Sequence, residues 1–303
     1  MAHLSVIRPG LFTTVQDLGR WGYQSRGVPV SGALDWFSHR LANLLVGNDP
    51  TAAGLEVTLT GPQVRFERAT SFAVTGAEFE LTLDDQIVGM NQAVDVRAGS
   101  VLRFGERVRG ARAYISVAGG VDVSPVLGSR STHVLTAMGG HEGRALRVGD
   151  ALAQGETVPG SVLDIAPGAF SKTGPLFPWR KLRVVPVDPG MAKHLTGERL
   201  RVSSQSNRMG YRLEGATVPT KATGELVSTA VPTGAIQVPP AGQPILLMND
   251  HATTGGYRIA GVVITADLPV AGQLAPGDWV EFETCSVEDA DEALRQREAL
   301  LGV

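Results

Sequence analysis

Cysteine is almost absent. Cys285 is the only one among 303 residues, which excludes an internal disulfide framework and a thiolate metal cluster and fits a reducing, cytoplasmic setting. An excess of charge of one sign is missing too, with Lys+Arg 27 against Asp+Glu 30 and a formal net charge of -3. That balance disfavours nucleic acid as a partner, because a phosphate backbone calls for a clustered basic excess. No apolar run approaches the roughly 18 residues of a membrane span. The opening MAHLSVIRPG has no basic-then-apolar signal pattern, so no membrane association is expected. The chain also has no G-x-x-x-x-G-K-[ST] loop, no G-x-G-x-x-G after a strand and no G-x-S-x-G elbow. Any ATP used by this protein is therefore not held in a Walker loop of this chain.

What is present is glycine and proline, 37 and 18 residues, scattered between short Val/Ile/Leu runs. This is the texture of many short strands and turns, and it predicts a mainly β protein. Length favours two domains over one. Strands are expected over Glu56–Phe66, Ser71–Leu83, Ala93–Phe104, Ala111–Val117 and Leu182–Val187. A helix is predicted from Ala33 to Val46, where Leu34, Phe37, Leu41, Leu44 and Leu45 fall at helical spacing, with Ser31 or Gly32 at its start and Gly47-Asn48 at its stop. His39 within it reads as a surface or satisfied histidine. A short helical piece is expected near Met191–Leu195, and a last helix over Ser286–Leu301, with Ser286 as cap, Asp289 completing a capping box and Asp291 paired to Arg295.

The proline-rich run 166–179 reads as a linker between halves of residues 1–165 and 180–303. Three short echoes support related halves: Arg20-Trp21-Gly22-Tyr23 against Arg208-Met209-Gly210-Tyr211, Val28–Leu34 against Val231–Ile236, and Ala98–Phe104 against Pro276–Phe282.

The polar residues gather in glycine-rich places. The apolar run Ile245–Met248 ends in Asn249-Asp250-His251-Ala252-Thr253-Thr254-Gly255-Gly256-Tyr257, after which Val262–Thr265 is apolar again. A carboxylate, an imidazole and hydroxyls surface here beside two glycines whose backbone adopts unusual conformations and approaches a ligand closely. The alternative is a hairpin turn whose side chains bond their own backbone. Arginines close to exposed backbone amides, Arg20 and Arg208, suit a carboxylate or other small anion; the alternative is that they brace loops by pairing with Asp17 and Glu214. No metal site is expected: His141-Glu142 resembles a zinc-protease motif only superficially, since Ala145 stands where the second histidine belongs.

GLFTTVQDLGRWGYQSRGVPVSGALDWFSHRLANLLVGN at Gly10–Asn48 resembles the family of KipA, PxpC and allophanate hydrolase subunit 2. The likeness continues through ISVAGGVDVSPVLGSRST, SNRMGYRLEG, VPTGAIQVPPAGQPILLMNDHATTGGY and VVITADLPVAGQLAPGDWVEF. It covers nearly the whole chain in order. The resemblance implies two cyclophilin-like β-barrel halves with a few helices. It implies one component of an ATP-dependent 5-oxoprolinase, which opens the lactam of 5-oxoproline to glutamate alongside a KipI-like (PxpB) subunit and a third, PxpA-like subunit. The same fold serves the carboxyltransferase domain of urea carboxylase, so a biotin-dependent component acting on urea is the alternative. Any biotin then arrives on another protein, because none of Lys172, Lys181, Lys193 and Lys221 has a Met-Lys-Met setting. A further alternative is a non-enzymatic binder of a KipI-like kinase inhibitor.

Asp250, Thr254, Gly255 and Gly256 are the candidate catalytic residues; Arg20, Asn207, Arg208, His251 and Tyr257 are the candidate substrate-binding ones. The family segment reads A-D-R-Q-T-T-G-G-Y-P where this chain has Asn249–Arg258, so the role of the family's arginine does not transfer to His251.

Overall fold

Alternating burial runs through both halves of the chain. In Leu4–Arg8, Leu4 and Val6 are buried and their neighbours only partly covered; in Gly210–Glu214, Tyr211 and Leu213 are buried while Arg212 and Glu214 are exposed. This is the signature of strands with one face on a core. The computed structural model describes residues 3–156, 181–215, 217–220 and 227–302. They form two units, one of residues 3–20 and 31–156, the other of residues 21–30 and 181–302. Residues 21–30, assigned to the first half by sequence order, thus group with the second unit. The expected linker 166–179 lies outside the described residues.

The first unit is a curled ten-stranded antiparallel sheet. Its longest strand, Val101–Val117, pairs with Gln63–Phe66 near its start, with Gly54–Thr58 near its end and with Thr70–Leu83 along most of its length. Register shifts after Gly76, Glu78 and Phe79 mark bulges, and bulges bend a sheet. The sequence pattern predicts a break in this element, ending one strand at Phe104 and starting another at Ala111. Pairing with Thr70–Leu83 carries the strand through the charged stretch between. Conversely, the expected strand Glu56–Phe66 is two strands, Gly54–Thr58 and Gln63–Phe66, because Leu59 takes a left-handed φ of 60°. Phe66 and Phe72, their rings stacked at 5.1 Å, lie in a core with Leu4, Val15, Val57 and Leu102.

The helix over this sheet is Trp36–Leu45, and its cap is Asp35 rather than Ser31 or Gly32. Those two residues instead carry the chain through left-handed bends, at φ 57° and 87°. The Asp35 carboxylate accepts from Ser38 N at 2.9 Å and from Ser38 Oγ at 2.7 Å. Asp35→Ala is expected to lower stability by about 1–2 kcal/mol, while Asp35→Asn, which keeps an acceptor, retains most of it; denaturant melts compare the two. Beneath the helix Tyr114 is fully buried, its hydroxyl donating to Glu56 Oε2 at 2.8 Å and accepting from Asp35 N at 2.8 Å. Burial, with the Glu56 and Asp35 carboxylates beside it, holds that hydroxyl protonated well above its ordinary pKa.

The second unit is a closed barrel of seven strands, in the order Lys181–Pro186, Arg258–Val263, Ala235–Val238, Ile245–Leu247, Gly210–Glu214, Arg199–Val202 and Trp279–Thr284. Closure comes from a parallel pairing of the first with the last, Lys181 opposite Glu281. Gly261 permits the close approach of a neighbouring strand, since a Cβ there would lie 2.4 Å from Val184 Cγ1 and 2.9 Å from the Val185 carbonyl oxygen. The protein is therefore mainly β, with a barrel or barrel-like sheet in each half, as expected.

The short helix is Pro189–Ala192, capped by Asp188. The last helix is Val287–Ala299, and both arms of the Ser286–Asp289 capping box are made. Its expected Asp291–Arg295 pair is replaced by Glu292–Arg295 at 3.1 Å. Among the described residues no helix is long and apolar enough to cross a membrane.

Candidate functional site

Three neighbouring barrel strands build the site. Gly210–Glu214 and Ala235–Val238 flank Ile245–Leu247, with Arg212 and Gln237 each opposite Ile245. Residues directly opposite share a face of a sheet. Tyr211, Leu246 and Ile236 are buried, between 0% and 2% exposed, so they fill the barrel. Arg212, Ile245 and Gln237 consequently form a row on its outer face. There a cavity of about 230 Å³ opens over an apolar floor of Met209, Ile245 and Leu247. Its polar lining comes from Gln205, Asn207, Arg212, Gln237, His251 and Thr254. No carboxylate lines it among the described residues.

Two loops wall this cavity, and a buried ion pair ties them together. Arg208 donates through Nε to Asp250 Oδ2 at 2.8 Å and through Nη2 to Oδ1 at 3.2 Å. The side chains are 9% and 8% exposed. The backbone reinforces the pair: Asp250 N donates to the Arg208 carbonyl and Met248 N to that of Met209, both at 3.0 Å. Asn207 stands just before this junction, and its Oδ1 accepts from Met209 N at 2.8 Å to hold the turn. Arg208 therefore pairs with Asp250, not with Glu214.

His251 follows the pair. Its Nδ1 donates to the Ala252 carbonyl at 2.7 Å, which leaves Nε2 to accept from the Thr233 hydroxyl at 3.2 Å. Burial depresses its pKa below the usual value, outweighing the opposing effects of the Ala252 carbonyl and the Asp250 charge. It is a neutral imidazole at physiological pH.

Thr254 and Gly255 form a short strand paired with Thr229–Ala230. Neither Gly255 nor Gly256 has a positive φ, so the unusual backbone expected of them is not adopted. Gly255 provides room: a Cβ would fall 2.2 Å from Gln237 Nε2. Thr254 is exposed at the cavity, whereas Tyr257, 48% exposed, does not line it.

Arg20 lies in the other unit, 1% exposed, donating to the carbonyls of Ser131 and Val126. Asp17 next to it accepts from Ser129, Ser131, and the amides of Arg130 and Gly19. Burial acts on its carboxyl first and upward, but these hydrogen bonds together hold it below the usual range. Both residues brace loops.

The structure thus gathers Asn207, Arg208, Asp250, His251 and Thr254 around one cavity and leaves Arg20 outside it. Sequence reasoning missed Arg212 and Gln237. For Arg212 the signal was the period-two alternation in Gly210–Glu214, which turns it away from the barrel interior; Gln237 had no such signal, because all four residues of Ala235–Val238 are buried. Chemically, amides, a hydroxyl, a neutral imidazole and one guanidinium suit a small polar ligand with hydrogen-bond acceptors. Among the described residues no group of three or more His, Cys, Asp and Glu side chains converges to hold a metal ion.

The family model "Carboxyltransferase domain, subdomain A and B" matches residues 26–284. The chain is 40% identical to a 5-oxoprolinase subunit of Escherichia coli strain K12, over 97% of this chain and 95% of that one. It is 35% identical to the corresponding 5-oxoprolinase subunit of Haemophilus influenzae, over 95% and 93% of the two chains. Among solved structures it resembles the urea amidolyase of K. lactis at a TM-score of 0.92 and 32% identity; 99% of this chain is covered, but only 20% of the longer one.

Proposed function

From a chain that belongs to the carboxyltransferase domain family, subdomains A and B, we infer a subunit of an ATP-dependent 5-oxoprolinase. It acts with a KipI-like (PxpB) subunit and a third, PxpA-like subunit to hydrolyse the lactam of 5-oxoproline to glutamate. The observation that carries this reading is the end-to-end correspondence with two proteins named as 5-oxoprolinase subunits, 95% and 93% of whose lengths are covered. The cavity agrees with it, because about 230 Å³ lined by amides and a guanidinium suits a small lactam acid.

In this reading Asp250, Thr254 and the backbone amides of Gly255 and Gly256 belong to the reacting centre. Asp250 keeps Arg208 and the Asn207 turn in place, and the amides supply donors where negative charge develops on the lactam oxygen. The cavity does not suit ATP: it offers one cation, Arg212, and a small volume, against the several donors that grip a polyphosphate. ATP is accordingly assigned to the assembled enzyme.

Purified chain combined with its KipI-like and third-subunit partners is expected to release glutamate from 5-oxoproline in the presence of ATP. No turnover in the complete mixture would sink the reading. The likeness to urea amidolyase favours a second one, a biotin-dependent carboxyltransferase component with biotin on another protein; carboxybiotin consumption that depends on urea supports it. Tight binding of the KipI-like protein with no turnover of either kind points instead to a binding protein.

A heteromer is also expected. Trp21 is 65% exposed, and Tyr23 follows it two residues later. Large amphipathic residues of this kind are favoured at interface centres. Co-purification with the KipI-like protein at micromolar concentration tests this, and a lone monomeric peak in the presence of that protein would argue against it.

A further inference from the structure

Gln237 carries a polar atom that the fold leaves unused. The residue is 6% exposed on the strand Ala235–Val238, and its Nε2 is buried with no hydrogen-bond partner among the described residues. Buried donors are nearly always paired, so one left open calls for an explanation. Gly255 makes space beside it, where any Cβ would collide with Nε2 at 2.2 Å. The cavity that Gln237 lines also holds Arg212, on the opposite side of Ile245. Arg212 bonds through its backbone, to Ser206 Oγ and Ser203 N, and its guanidinium has neither ion pair nor hydrogen bond among the described residues. Arg208, by contrast, is clamped by Asp250 through two of its donors. An open cation and an open amide donor therefore flank the apolar Ile245 in a cavity without a carboxylate among the described residues.

We propose that Arg212 and Gln237 are the two recognition points of this cavity, Arg212 binding the carboxylate of a small lactam acid and Gln237 donating to its ring carbonyl. The inference rests on the 5-oxoprolinase reading for the identity of that acid and deepens it. Specificity follows from the pairing. A neutral urea or an unsubstituted lactam reaches Gln237 but offers Arg212 no anion, so the carboxylate is what selects the substrate.

Calorimetric titration tests this with 5-oxoproline, 2-pyrrolidinone and urea as probes, using the full chain alone and in the assembled complex. Arg212→Gln is expected to weaken 5-oxoproline binding by roughly 10- to 100-fold, the range for a hydrogen bond to a charged group, and to leave 2-pyrrolidinone unchanged. Gln237→Met is expected to weaken both lactams. It should leave the melting temperature of the ligand-free protein unchanged or higher, since the Gln237 side chain makes no hydrogen bond among the described residues. A merely structural glutamine would show the reverse, a lower melting temperature with unaltered binding. Unaltered 5-oxoproline affinity in either folded variant overturns the proposal, as does failure of wild-type chain and complex to bind any probe. Carboxylate-dependent binding without glutamate release keeps the recognition points and removes the 5-oxoprolinase reading. Glutamate release with variants that bind and turn over normally does the opposite.

Discussion

Asp250→Ala is expected to cost the second unit about 3–5 kcal/mol of stability, the scale on which removing one partner of a buried ion pair destabilises a fold. The size follows from what remains: Arg208, mostly buried, loses the carboxylate that accepts from both Nε and Nη2. Arg208→Ala is expected to cost a similar amount by stranding Asp250. Arg208→Met combined with Asp250→Leu should recover most of the loss, because two apolar residues leave no uncompensated charge. Urea melts of the four proteins decide this, and strictly additive single-variant losses would contradict the pairing.

Asp250→Asn addresses turnover rather than stability. It keeps the shape of the side chain but removes its charge, and Asn207 and His251, which line the cavity on either side of the pair, lose their fixed support. Turnover of the assembled complex is expected to fall about 10²-fold or more, the scale of a positioned acid-base group or of a reactant displaced by about 1 Å. A lower melting temperature with normal turnover would take Asp250 out of the reacting centre.

The second large effect is on pH. His39 is 0% exposed in the helix Trp36–Leu45; Asn43 Nδ2 is 3.2 Å from its Nε2, and its Nδ1 is buried without a hydrogen-bond partner among the described residues. Desolvation pushes its pKa down to about 4, against the opposing charges of Asp17 and Glu56 and with a smaller contribution from Arg40 in the same direction. The folded pKa lies below the unfolded value of 6.5, so the unfolded chain takes up the proton first. The stabilisation is fully present above pH 6.5 and is lost as pH falls through about 4, amounting to about 3 kcal/mol. His39→Gln should flatten this part of the stability profile. Parallel profiles for wild type and variant between pH 6.5 and 4 would show that His39 is not the group responsible.

Much of the local structure is decided by short-range chemistry. The helix over the first sheet was legible because Phe37, Leu41, Leu44 and Leu45 repeat at helical spacing. The capping box of the last helix was legible because Ser286 and Asp289 are three residues apart and bond each other directly. The segment Asn249–Tyr257 could be singled out as a place where a buried strand surfaces in polar residues beside two glycines. Each of these features is contained within one helix, one cap or one strand end, so the order of residues alone determines it.

Tertiary structure decided the rest, because the partners are distant in the chain. Nothing local joins Arg208 to Asp250, 42 residues later; the antiparallel pairing of Gly210–Glu214 with Ile245–Leu247 brings the loops that carry them together. The charged stretch after Phe104 fell between two expected strands and became strand only because Thr70–Leu83 supplied its hydrogen bonds. Arg20 and Arg208 occupy matching places in the two Arg-x-Gly-Tyr echoes, yet one donates to carbonyls and the other to a carboxylate. Alternation alone sends Arg212 to the outer face of its strand, whereas Gln237 lies in a strand buried along its whole length. Barrel register, set by burial of Tyr211, Leu246 and Ile236, aligns them across Ile245, and the missing Cβ of Gly255 leaves room for the Gln237 amide.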